Sequence, residues 1–166
     1  MPPQGWPAVR IVEVNSKSGI NILRDQCTES EQLVSIQSAE HVIWLDSQVK
    51  ISLGQRATSQ RKGIPLGYDY TRSNQYYDLN DIHRPVQHIF DELRQQHGWS
   101  KGDYHTDQTL ITQWYAGFGW DDYGIHDWSP YEHVTYAVIC EDISQGKHVM
   151  LFLIVSAKFR SIHDKT

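Results

Sequence analysis

Three runs constrain the fold most: "QTLITQWY" (108–115), "HVTYAVIC" (133–140) and "HVMLFLIV" (148–155) carry the strongest strand signals in the chain. Segments so rich in β-branched and aromatic residues need partners for their backbone groups, so the C-terminal half has to build a sheet. "VRIVEV" (9–14) alternates apolar and polar residues and supplies a strand near the start. "INIL" (20–23), "HVIWL" (41–45), "VKISL" (49–53) and "LGYDY" (66–70) read as shorter strands. Two segments read as helices. In "TESEQLVSIQ" (28–37), Thr28 stands three residues before Glu31, the spacing of a capping box. In "RPVQHIFDELRQQHG" (84–98), Val86, Ile89, Phe90 and Leu93 form one apolar stripe, Pro85 suits the first turn and Gly98 suits the exit. "GQRATSQRKGIP" (54–65) reads as a loop. The expected pattern is mixed, with early helices followed by a mainly antiparallel set of strands.

A chain of 166 residues fits a single domain, 1–166, with a real core. No apolar run is long enough for a transmembrane helix, which argues against a membrane partner. The opening "MPPQGWPAVR" lacks the basic-then-apolar order of a signal peptide. Cys27 and Cys140 make neither a metal pair nor a disulfide framework by spacing, so a reducing compartment, cytoplasmic or nuclear, is expected. The net charge of −5 argues against nonspecific clinging to nucleic acid but leaves room for a local basic patch. Oligomeric state is not legible.

The densest stretch is "DQTLITQWYAGFGWDDYGIHDWSP" (107–130), which sets aromatics, glycines and aspartates around one histidine, His126. With Asp127 beside it, His126 reads either as a metal ligand or as part of a polar loop between strands.

The order of segments resembles a family. "LGYDYTRSN" (66–74), an amphipathic helix "PVQHIFDELRQ" (85–95) and "DQTLITQWYAGFGW" (107–120) follow the order of AlkB-like oxygenases, which depend on Fe(II) and 2-oxoglutarate. Gly67, Tyr68 and Asp69 match one motif; Asp107, Gln108, Ile111, Gln113, Gly117 and Gly119 match a second. "INILRDQCTESEQLVSI" (20–36), Trp44 and "SPYEHVTYAVI" (129–139) look like the family's flanking segments, so the resemblance spans about residues 20–155. It implies an α+β fold: a double-stranded β-helix (jelly roll), complete or incomplete, with one or two flanking helices. It also implies oxidative demethylation or hydroxylation of nucleic acid. The ligand set is two His and one carboxylate on one face of the iron, the first pair coming from an "H-x-D" on a strand edge. His126 and Asp127 are the candidate metal ligands by this resemblance, and Arg160 in "IVSAKFRSI" (154–162) the candidate partner of the 2-oxoglutarate carboxylate.

This chain departs from that pattern. Aligned without a gap from Asp107, the "H-x-D" slot falls on Tyr123 and Ile125; with a short insertion His126 fills the first place, and Trp128 stands two residues on. Asp127 is adjacent, and only a bulge would re-aim it. The distal ligand is open between His163 and a missing segment, as in a shortened form whose exposed strand edge would favour self-association. A rival "H-x-T" motif at 133–135, of the kind used by two-histidine phosphoesterases, has no matching partner, since "HVI" (41–43) lacks the hydroxyl. Arg56, Arg61, Lys62, Arg72 and Arg84 gather where AlkB-like proteins carry the lid that grips nucleic acid; a solvated loop is the plain reading of the same charges. Tyr68, Tyr70, Tyr76 and Tyr77 could stack a base or sit in the core. Two functions therefore stand: an AlkB-like dioxygenase, or a pseudoenzyme that keeps the shell as a binding module.

Overall fold

The computed structural model describes residues 2–16, 19–53, 62–68, 75–98, 100–101, 110–114, 124–128 and 134–144. Within them the strands are β1 (Val9–Ser16), β2 (Glu31–Leu33), β3 (Lys62–Tyr68), β4 (Ser100–Lys101), β5 (Leu110–Trp114), β6 (Gly124–Trp128) and β7 (Val134–Asp142). The helices are α1 (Ile20–Arg24), α2 (Ala39–Leu53) and α3 (Gln87–His97). All these strands join one sheet in the order β1-β7-β3-β5-β6-β4, with β2 also on β7. The β3–β7 and β4–β6 pairings are parallel and the others antiparallel, so the sheet is mixed. A double-stranded β-helix needs a second sheet facing the first. The described strands all belong to one sheet, and the run at 148–155 read as a strand lies outside the described residues.

β7 is the hub. One edge pairs with β1 from Val9↔Glu141 to Ser16↔Thr135. The other edge takes β3 at Val134 and Thr135 and β2 at Cys140 to Asp142. Its side chains alternate as a strand demands. Ala137 and Ile139 join the larger core, made with Val42, Leu45 and Val49 of α2 and Ile89, Phe90 and Leu93 of α3. Val138 and Cys140 face the smaller core with Leu23, Leu33 and Leu79. In β3, Ile64 and Leu66 enter the larger core whereas Tyr68 packs on the smaller one. A register shift between Pro65 and Gly67 accompanies that change of face.

Four local readings are corrected. The stretch 62–65, read as the end of a loop, opens β3. The segment 41–53 is not two strands but the helix α2. Ser38 caps it, its hydroxyl accepting the His41 N–H at 3.2 Å, and Ala39, Val42, Leu45 and Val49 form a buried stripe at helical spacing. The segment 28–37 is not a helix: Glu31–Leu33 forms β2. The Thr28–Glu31 reciprocal bonds exist, with Thr28 N–H donating to the Glu31 carboxylate at 3.0 Å and Glu31 N–H to the Thr28 carbonyl at 2.9 Å, but they close a turn. Arg10 of β1 takes the same carboxylate through both its Nε (2.9 Å) and Nη2 (2.5 Å) and draws the chain onto the sheet. That contact, more than the Thr28 bonds, holds the Glu31 pKa down at about 2. The segment 20–23, read as a strand, begins α1, which buries Leu23 and leaves Ile22 exposed.

The predicted helix at 84–98 is α3, starting two residues after Pro85 and ending at Gly98, whose φ of 69° is left-handed. The cysteines overturn the expectation of unpaired thiols: Cys27 and Cys140 form a disulfide across a separation of 113 residues. The compartment argument built on free thiols loses its premise. Among the described residues no helix is long and apolar enough to cross a membrane.

Candidate functional site

The motif-bearing segments 66–68, 110–114 and 124–128 are neighbours in space. β5 lies between β3 and β6, with Gly67 opposite Ile111 and Thr112 opposite His126. Gly67 is required by packing. A Cβ there would stand 3.2 Å from the Tyr77 carbonyl oxygen, 3.2 Å from Val86 Cγ2 and 3.4 Å from Phe90 Cε2, so α3 settles on β3 because this residue has no side chain.

His126 and Asp127 occupy consecutive positions of β6, opposite Thr112 and Ile111. The β5–β6 register runs from Leu110↔Trp128 to Trp114↔Gly124 without a shift. Lys62 starts β3, opposite Val134 of β7. Arg56, Arg61, Arg72, Arg160 and His163 lie outside the described residues.

Arg84 is described and is committed elsewhere. Its Nη1 donates to Asp78 Oδ2 at 2.7 Å and its Nη2 to the Ile36 carbonyl at 2.5 Å. Tyr76 is buried edge-on against Phe90, a core residue rather than a stacking platform.

Arg84 belongs to a polar network that no sequence motif signalled. Asp78 is only 1% exposed and accepts from Ser35 Oγ at 3.0 Å and Asn80 N–H at 2.8 Å. The Asn80 amide donates to the Leu33 carbonyl at 2.5 Å and to Ser35 Oγ at 2.9 Å. On the other side of Ser35 stands Glu141 of β7, 5% exposed. Its Oε1 accepts from Gln32 Nε2 at 2.7 Å, and its Oε2 meets no partner among the described residues. Burial pushes the Glu141 pKa up, and the charge of Asp78 adds to that; Gln32 and Ser35 offset part of it. His41 is fully buried near Arg84, packed against the rings of Trp6 and Trp44. Its Nδ1 accepts the Gln37 N–H at 3.2 Å, which places the proton of the neutral ring on Nε2, and Nε2 has no acceptor among the described residues. Burial first, and Arg84 second, lower its pKa to about 4. Asp78, Asn80 and Arg84 are bonded to Ser35, Leu33 and Ile36, an arrangement that holds the 78–84 segment against the chain between β2 and α2.

One further group stands apart: Glu40, Glu92 and His97 place one ligand atom each within 4.8 Å of one another. They lie on α2 and α3, not on β6, so they are not the ligand set the resemblance implies. Glu40 and His97 are exposed and Glu92 half-buried, positions where water serves these groups as well as an ion. The sequence signal was a glutamate next to the Ser38 cap and a Glu–His pair near the end of α3, both ordinary for helix ends. No family model, no curated protein and no solved structure matches this chain.

Proposed function

We propose that this chain uses an AlkB-like arrangement of strands to bind nucleic acid and does not carry out the iron-dependent oxidation. What supports the second half is the spacing: Asp127 directly follows His126, and Trp128 stands where an "H-x-D" would carry its carboxylate. The first half rests on the resemblance and on the adjacency of the motif segments in β3, β5 and β6. The basic residues of the lid segment, Arg56, Arg61, Lys62 and Arg72, would supply phosphate contacts. The oxidising reading, an Fe(II)/2-oxoglutarate dioxygenase with His126 as ligand and Arg160 on the co-substrate, is the second one, favoured by that same adjacency.

Anaerobic titration with Fe(II) and 2-oxoglutarate separates the two. The binding reading expects no visible charge-transfer band and no rise in melting temperature, whereas specific binding to the folded state must raise it. A band abolished by His126→Ala establishes the oxygenase instead. Binding to short single-stranded RNA or DNA should fall with salt. Arg61→Ala with Lys62→Ala should weaken it for all sequences and flatten the log–log slope by roughly 0.7–0.9 for each phosphate no longer neutralised. Equal, weak binding by parent and double variant at low salt would end the nucleic-acid reading. As for compartment, in the cytoplasm or nucleus Cys27 and Cys140 would be held as thiols, while an oxidising compartment would keep their bond. Thiol alkylation of protein taken directly from cells distinguishes these.

A further inference from the structure

Glu141 is the buried group whose chemistry the fold leaves unfinished. It lies on the face of β7 that also carries Ala137 and Ile139, at the margin of the larger core. β2 offers it one neutral donor, Gln32, at 2.7 Å. Ser35 stands between it and Asp78, and the Ser35 hydroxyl donates to Asp78 at 3.0 Å. β1 sets Val9 opposite it; the nearby cation Arg10 is held by Glu31. The loop before α3 brings Asp78, whose cation Arg84 is already engaged. Among these described neighbours no free cation faces Glu141. A negative charge on it would sit near Asp78 with Oε2 unpaired and only Gln32 and Ser35 to offset it, a costly arrangement in a packed interior.

We propose that Glu141 is a proton-operated latch: with a neutral carboxyl it lets the loop at residues 78–84 close over Ser35, and its ionisation loosens that loop.

The loop is the part that yields because the other walls are tied. β7 is laddered to β1, β2 and β3. The Cys27–Cys140 bond pins the segment leading to β2. Residues 78–84 are anchored at Leu79, which is buried in the smaller core and takes Arg24 Nη2 on its carbonyl, and on either side of it by polar contacts next to the new charge: Asp78 to Ser35, Asn80 to Leu33 and Ser35, Arg84 to Ile36. The sign follows from linkage. A carboxyl whose folded pKa is raised gives stability that is complete below its unfolded pKa and lost as pH rises through the folded one. Closure is therefore favoured in acid and released towards higher pH, opposite to a loop closed by an ordinary carboxylate–cation pair.

The test uses the full chain in two measurements. Carbon-13 NMR of glutamate-labelled protein, with Glu141→Gln to assign the resonance, follows ionisation of Glu141 in the wild type. Hydrogen exchange across the same pH range follows the Asp78 and Arg84 amides, bonded to the Arg84 and Asp81 carbonyls. After correction for intrinsic exchange, protection of 78–84 should fall by up to about tenfold per pH unit above the Glu141 midpoint. It should stay level in Glu141→Gln. Glu141 titrating in the ordinary carboxylate range overturns the latch. So does unchanged protection while Glu141 ionises. Should the variant not fold, Asp78→Asn serves for assignment by perturbation: it removes the like charge and frees Arg84, and must move the Glu141 midpoint downward, or the proposal fails.

Discussion

At the scale of single residues, what matters here is where polar atoms are left without partners. His41 is neutral in the fold because burial and Arg84 oppose its protonation, with a pKa of about 4 against 6.5 for a free imidazole. The unfolded chain takes up that proton first as pH falls. Stability from His41 is therefore complete above about pH 6.5 and lost progressively down to about pH 4, a swing on the order of 3 kcal/mol. Urea denaturation at pH 7, 5 and 4 should show the wild type weakening more than His41→Asn by up to that amount. Equal weakening would place His41 in water. Nothing in "SAEHVIWL" (38–45) signalled this. A histidine reads as buried only once the helix that carries it, and the Trp6 and Trp44 rings against it, are known.

At the scale of elements, local preference lost to packing in the N-terminal half. α2 holds Val42, Ile43, Val49 and Ile51, β-branched residues that suggest strands on their own. Apolar residues lie on most sides of it, so no sharp polar face marked the helix; Ile51 is 77% exposed. The buried stripe on the sheet outweighs the propensities, which differ by less than about 1 kcal/mol per residue. The Ser38 cap was the legible clue. α3 was legible because its stripe is one-sided and Gly98 ends it. Its seating on β3 gives a prediction: Gly67→Ala should cost about 1–3 kcal/mol, since a Cβ at 3.2 Å from the Tyr77 carbonyl and Val86 must push α3 or its lead-in segment away. Thermal unfolding measures it, and a cost below ~0.5 kcal/mol would show that the seat gives way more easily than such close packing allows.

At the scale of the whole molecule, one covalent bond closes the longest loop. The Cys27–Cys140 bond ties the segment between α1 and β2 to β7 across 113 residues. Chain-entropy arguments give roughly 4–5 kcal/mol for a loop of about this length, with measured values for native disulfides nearer 2–5. Cys27→Ser with Cys140→Ser should lower the denaturation midpoint accordingly, and a reductant should move the wild type but not the double variant. An unchanged midpoint would mean the bond is not formed in solution.

The strands β1, β5 and β7 and the helix α3 were determined by the sequence alone, because each has a pattern strong enough to choose its partner face: alternation in β1, dense β-branched and aromatic runs in β5 and β7, a one-sided stripe in α3. Only the tertiary structure decided the rest. The Thr28–Glu31 spacing serves a turn as well as a helix, and Arg10 on β1 selects the turn. Two cysteines 113 residues apart become partners only when β7 passes the end of α1. That His126 and Asp127 stand on a strand, opposite Thr112 and Ile111, is a matter of pairing, set by β5 and not by the two residues themselves. Glu141 reads as an ordinary strand-end acid until Gln32, Ser35 and Asp78 close around it. Each of these outcomes depends on a partner distant along the chain, and a local pattern holds no information about which distant group arrives.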